Sequence, residues 1–224
     1  MNDLATNYNN VLNMIQRSSL EPNHPIALVA VSKHCTDVEI AQLYKLGQLD
    51  FAENYVDELS NKAQTLKHLN INWHFIGNIQ SNKLKPIAKY ASWVQSLEKP
   101  SHVIKLNNLR DQGLPPLNVL IEIKISGDVN KHGLTANLEE ITKLADIVVA
   151  QPKLKLRGIM AMASLSDNQT LLLNEFTQLR MIFEKLKQQG YDIDTLSMGT
   201  SSDYNLAITA GATMVRVGSA LFKD

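Results

Sequence analysis

Apolar positions along the chain switch repeatedly between the 3.6-residue spacing of a helix face and short unbroken runs. Leu4, Tyr8, Val11, Leu12 and Ile15 mark the first helix face, with Asn2 or Asp3 as its N-cap and Pro22 and Pro25 as its end. Residues 26–31 (IALVAV) follow as a continuous apolar run with β-branched content, the pattern of a parallel strand buried on both faces. Thr36 and Asp37 are N-cap candidates for the next helix, and Gly47 is its stop signal. The alternation then repeats. It predicts strands at 49–52, 73–77, 92–96, 118–126, 155–162, 195–198 and 213–218, and helices at 55–68, 82–90, 98–109, 137–150, 168–189 and 201–210. In the longest helix Leu172, Phe176, Leu179, Phe183 and Leu186 keep the helical period, and Gly190 stands where a C′ residue belongs.

Eight strands separated by helices predict an α/β fold, a (β/α)8 TIM barrel preceded by one additional helix. Such a barrel needs roughly 200 residues, so the 224 residues are expected to form a single domain over 1–224 with no C-terminal β-domain. An open doubly wound sheet shares the alternation, but no G-x-G-x-x-G follows any strand. Composition narrows the ligand classes. Hydrophobic residues make up 44% of the chain, enough for a large core, and 22 Lys plus Arg balance 22 Asp plus Glu. That balance removes the usual electrostatic reason to bind nucleic acid or a membrane surface. The single Cys forms no internal disulfide, and the six His show no metal-ligand spacing. No basic segment followed by an apolar one opens the chain, and no window approaches about 18 apolar residues, so a cytoplasmic protein is expected.

In a barrel of this kind the reactive residues come from the carboxyl ends of the strands. Lys33 follows the first strand and shares parity with Val29 and Val31. If that face points inward, desolvation favours the neutral amine that forms a Schiff base; if outward, Lys33 only opens a solvated loop, the commoner case. In the last strand Val215 and Val217 face one side, and Arg216 and Gly218 the other. The branched pair suits the helix layer, which puts Arg216 inside the barrel mouth, where a permanent cation calls for an anion or acceptor. Residues 197–203 (SMGTSSD) place a Gly and small hydroxyl residues ahead of a helix, an arrangement that offers N–H groups to a phosphate. A plain N-cap would read the same way, but the loops after strands seven and eight are the recurrent phosphate site of these barrels. A reactive amine, a phosphate cradle and an interior Arg suggest pyridoxal 5′-phosphate (PLP) as cofactor. A sugar-phosphate aldolase or isomerase fits the first two features.

Six segments in register strengthen this reading: V-A-V-S-K (29–33), F-A-E-N-Y-V (51–56), H-F-I-G-N-I-Q-S-N-K (74–83), L-R-G-I-M (156–160), S-M-G-T-S-S-D (197–203) and V-R-V-G-S-A-L-F (215–222). Together they resemble the pyridoxal phosphate homeostasis protein family, itself similar to the alanine racemase N-terminal barrel domain (PLP fold type III). The resemblance implies that Lys33 holds PLP as a Schiff base and that Asn54 lies beside the cofactor. It implies that Gly199, Thr200, Ser201, Gly218 and Ser219 hold the phosphate, and that Arg216 faces the pyridine nitrogen, a phosphate role being the alternative. A guanidinium does not readily give up its proton, so the ring nitrogen would stay unprotonated and the ring would be a weaker electron sink. The implied function is non-catalytic: the protein buffers or delivers PLP within vitamin B6 homeostasis and influences amino-acid balance. PLP-dependent apoenzymes are its implied transient contacts and a monomer its expected state. The alternative on the same barrel is a PLP-dependent amino-acid racemase or decarboxylase, which needs a second acid or base opposite the lysine.

Three positions depart from the family pattern. Thr200 stands where Met is usual, Ala163-Ser164 follow strand six where a Pro turn is usual, and the chain ends F-K-D without the usual Gly or a basic tail. Outside the candidate set, His74 reads as a hydrogen-bonded core or rim residue, Asn82 as a helix cap, Cys35 as a loop thiol, and Met160 and Met162 as packing.

Overall fold

In the computed structural model, which describes residues 4–19, 25–127 and 131–222, the apolar runs pair edge to edge in parallel. The chain runs α1 (Leu4–Ser18), β1 (Ala27–Val31), α2 (Asp37–Lys45), β2 (Asp50–Glu53), α3 (Val56–Thr65), β3 (Asn72–Phe75), α4 (Leu84–Tyr90), β4 (Trp93–Leu97) and α5 (Pro100–Leu109). It continues through β5 (Leu117–Lys124), β6 (Leu134–Thr135), α6 (Leu138–Val149), β7 (Leu154–Met160), α7 (Gln169–Gln188), β8 (Thr195–Ser197), α8 (Tyr204–Thr209), β9 (Met214–Val217) and α9 (Ser219–Phe222). The order β4-β3-β2-β1-β9-β8-β7-β5 closes on itself through the β4–β5 pairing, so eight parallel strands form the expected (β/α)8 barrel. The two-residue β6, absent from the sequence reading, pairs only with the end of β5. No helix among the described residues is long and apolar enough to cross a membrane.

Alternation along each strand divides the apolar side chains between two cores. Leu28, Ala30, Phe51, Val215 and Val217 face the helices and join the main core, to which α1 contributes Tyr8, Val11 and Ile15. Val29, Ala52 and Met214 point inward and pack with Ala27, Val31, Ile76 and Trp93. The inward face of β1 is therefore the one that continues to Lys33. Two register shifts complicate this alternation. On β7, Val119 pairs with Leu156 but Leu120 pairs with Gly158, so Arg157 is an extra residue; a similar shift lies between Val94 and Leu97 on β4. Such bulges reverse the facing of everything downstream, which turns Met160 and Met162 inward while Ile159 and Ala161 pack on the helices.

Local signals fix most helix ends. Thr36 and Glu39 form a reciprocal capping box on α2, and Asn168 caps α7 by accepting from Leu171 N at 3.1 Å. Gly47 and Gly190 follow their helices with φ of +102° and +94°, the left-handed conformation that glycine adopts without a Cβ penalty. Other boundaries differ from the pattern. Asn82 is not the cap of α4: Lys83 N donates to Gln80 O at 2.9 Å, so a turn occupies those residues and the helix begins at Leu84. The helix expected over 201–210 shrinks to six residues because Asp203 Oδ1 accepts from Thr200 N and Oγ1 and closes a turn before it. Leu12, counted on the buried face of α1, is exposed. The proposed caps Asn2 and Asp3 and the Pro22 stop lie outside the described residues.

Candidate functional site

A cavity of about 540 Å3 opens at the carboxyl ends of the strands. Lys33 enters it from the end of β1, immediately before a sharp turn in which His34 takes φ +64°. Lys33 is exposed at the mouth, so it faces the cavity without the desolvation that an inward position suggested. Asn54, just past β2, lines the same wall, and its Oδ1 is buried with no hydrogen-bond partner among the described residues. Arg216 lies deeper on β9, only 3% exposed; Nη1 donates to Ser197 Oγ at 2.5 Å and Nη2 to Ala161 O at 2.9 Å. Burial lowers its pKa to about 10, with Glu122 and Asp203 opposing, so the guanidinium stays charged at neutral pH.

The rim opposite Lys33 comes from the loops after β8 and β9. Thr200, Ser201, Gly218 and Ser219 line the cavity there, with Ser202 beside them. Ser201 Oγ accepts from Gly218 N at 3.1 Å and Ala220 N at 3.3 Å, which ties the two loops together. The N–H groups of Ser201, Ser202 and Ser219 meet no acceptor among the described residues. Gly199 does not reach the cavity wall, unlike the other candidate residues. It takes φ +93°, and a Cβ there would lie 2.6 Å from Ala207 Cβ, so its place is behind the rim, where the turn packs on α8.

Sequence reasoning missed part of the lining. Met160 and Met162 face the cavity because of the Arg157 bulge, and the signal was a charged residue beside Gly158 inside an apolar strand. Cys35 lines the wall too; burial, then Glu39, pushes its thiol up to about 12, so it stays protonated. Where the family pattern has a Pro turn, Ser164 N and Oγ donate to the Glu175 carboxylate at 2.7 and 2.6 Å, which anchors the loop to α7.

The sequence matches the alanine racemase N-terminal domain family over residues 2–224. The chain belongs to that family. Among its relatives, the pyridoxal phosphate homeostasis protein of Pasteurella multocida is 41% identical over 224 residues, covering 98% of this chain and 95% of the relative. The protein of the same name from Escherichia coli K12 is 39% identical over 229 residues, covering 99% and 97%. PipY of Synechococcus elongatus, solved with PLP bound, superposes with a TM-score of 0.85 at 28% identity, covering 98% of this chain and 100% of PipY. Alanine racemase from Corynebacterium glutamicum shares the fold at a TM-score of 0.72 and 14% identity, with 60% of its own length covered.

Inside this alanine racemase-type barrel, Arg216 heads a line of polar contacts. Ser197 Oγ lies 2.7 Å from Gln95 Oε1, Gln95 Nε2 lies 2.9 Å from His74 Nδ1, and His74 Nε2 lies 3.0 Å from Asp50 Oδ1. His74 is fully buried and stacks on Trp93 at 5.2 Å between ring centroids. It is a hydrogen-bonded core residue, and burial holds its pKa below 6.5 against the pull of Asp50. A second carboxyl lies on the inner face of β5: burial, then Glu98, raises Glu122 from 4.5 to about 7, with Arg216 opposing. A carboxyl raised on folding stabilises the fold below its unfolded pKa and loses that contribution as pH climbs through the folded value. Glu122→Gln is therefore expected to raise the melting temperature of the cofactor-free protein by a few degrees above about pH 7 and to leave it unchanged below about pH 4. Thermal melts at both ends of that range provide the check.

Proposed function

We propose that this protein binds PLP at the barrel mouth, holds it covalently through Lys33, and works as a cytoplasmic monomer in PLP homeostasis, buffering the cofactor or handing it to PLP-dependent apoenzymes. The observation that carries the reading is the convergence of one accessible amine, Lys33, and one buried guanidinium, Arg216, on a single cavity. The donor set suits the cofactor. Three unengaged rim N–H groups and the Thr200 and Ser201 hydroxyls match a phosphate, and the Asn54 Oδ1 left without a partner among the described residues matches a donor on the ring edge. Relatives about 40% identical over nearly the whole chain carry the name pyridoxal phosphate homeostasis protein.

When bound, PLP supplies an aldehyde that captures amines and a ring that can delocalise charge. The chain's own residues hold and orient it. Lys33 Nζ would hold the aldehyde carbon covalently, its oxygen leaving as water, and the loops after β8 and β9 would hold the phosphate at the rim. Arg216 sits one inward-facing position deeper than Gly218 and would face a ring held from that rim. It can only donate, so a ring nitrogen facing it accepts a hydrogen bond and gains no proton. That arrangement favours storage over carbanion chemistry. Gly199 shapes the turn that presents its neighbours.

The absorbance spectrum after reconstitution with PLP tests the reading: a visible band that borohydride abolishes while leaving the cofactor attached to the chain supports it, and a colourless protein overturns it. Arg216→Ala removes a charge-assisted donor worth about 1.5–3 kcal/mol, so cofactor affinity is expected to fall about tenfold to a hundredfold. Equilibrium dialysis measures this. The racemase or decarboxylase reading has one observation in its favour, Glu122 as a carboxyl poised near 7 beside Arg216. Solvent-deuterium exchange into the α-position across a panel of amino acids, at rates suited to metabolism, would establish it.

A further inference from the structure

Behind Lys33, on the helix side of β1 and β2, lies a buried ion cluster that the cofactor reading does not use. Lys62 on α3 is only 7% exposed, and its ammonium has three acceptors: Ser32 O at 2.8 Å, Glu53 Oε1 at 2.9 Å and Glu58 Oε2 at 2.7 Å. The same Glu58 Oε2 accepts from His34 N at 2.8 Å, and Ser32 Oγ donates to Glu53 Oε1 at 2.6 Å. Ser32 O and His34 N belong to the two peptide groups on either side of Lys33. Both are thus held by one i,i+4 pair from α3, at the point where His34 is forced to φ +64°.

Burying such a cluster gives little net stability, because desolvation of the charges offsets most of their attraction. A non-glycine residue in the left-handed region is also strained and persists only where its surroundings over-determine it. Both costs fall on the turn that aims the Lys33 side chain.

We propose that Lys62, with Glu58, is a positioning pair for Lys33: it fixes the two peptide groups flanking that residue, and so sets where Nζ stands in the cavity and how slowly the cofactor leaves. The inference rests on the PLP reading for its cofactor and on the cofactor-free geometry for its clamp. Lys62→Met is expected to speed hydrogen exchange of the His34 amide in the cofactor-free protein at least about tenfold. It is also expected to speed release of PLP from the loaded protein at least about tenfold, the size of effect that supporting residues have on the groups they orient. Both are read well below each variant's melting temperature. Glu58→Gln keeps an acceptor for His34 N but weakens the hold on Lys62, so a few-fold change in both readouts is expected; this variant decides the matter if Lys62→Met does not fold. Lys143→Met, which breaks the exposed i,i+4 pair with Glu139, should change neither. Unchanged PLP release in a folded Lys62→Met, or unchanged release and exchange in Glu58→Gln when the first variant does not fold, overturns the proposal. Failure of the PLP reading would look different: wild-type protein would hold no cofactor, while His34 exchange would still respond to Lys62.

Discussion

Lys33→Ala is expected to abolish the visible band of the protein reconstituted with PLP and the label that borohydride leaves on the chain. Lys33 is the amine that β1 delivers into the cavity, on the inward parity of Val29 and Val31. The other lysines with resolved contacts near this end are engaged elsewhere: Lys62 is saturated by three acceptors behind the strand, Lys83 pairs with Asp57, and Lys131 Nζ donates to Met162 O and Ala163 O. The variant should still fold, because the Lys33 side chain is exposed and contributes no core packing. PLP should remain detectable only as a weak, dialysable ligand held by its phosphate. Absorbance spectra before and after dialysis, with peptide mapping of the borohydride-treated wild type, make the comparison. A visible band retained in Lys33→Ala would move the covalent site elsewhere.

Gly158→Ala is expected to be among the most damaging single methyl additions in the barrel. Gly158 has φ +147°, and a Cβ there would lie 1.9 Å from Thr195 O and 3.3 Å from the Phe183 ring. The nearest obstacle is backbone of β8, paired with β7 at this residue, so no rotamer change relieves the clash. Backbone strain and overpacking each cost about 1–3 kcal/mol, and together they predict a loss of about 3–5 kcal/mol, or roughly 10 °C in melting temperature for a chain of this size. Thermal and urea denaturation give the number. A melting temperature within a degree or two of wild type would mean that the β7–β8 approach relaxes freely.

The barrel was legible because parallel strands buried on both faces leave unbroken apolar runs, and helices between them restore the longer period. At β9 the alternation Val215, Arg216, Val217, Gly218 also showed which side faced in, since branched side chains sort to the helix layer and the structure puts Arg216 inside. At β1 the same logic failed to decide, because Ala27 to Val31 are apolar on both faces. Met160 and Met162 escaped because a one-residue bulge reverses parity, and strict alternation has no place for it. Lys62 escaped for another reason: a lysine on a polar helix reads as solvated surface, and only the fold shows that α3 presses it against the turn at Ser32. Gly199 was placed correctly in its loop, but its contacts are with α8, a distinction that depends on the direction of a missing Cβ.

The polar line through the barrel has a direction set by its two ends, Arg216 and Asp50. Arg216 has no lone pair to offer, so Ser197 must accept from it and spend its own hydrogen on Gln95 Oε1. The Gln95 amide then presents its NH2 to His74 Nδ1, which leaves the imidazole proton on Nε2, aimed at Asp50. The line ends on Asp50 Oδ1, which accepts from His74 Nε2, so each donor points from Arg216 toward Asp50. A donor at one end and an acceptor at the other therefore set the proton order of the interior between them, and with it the tautomer of His74.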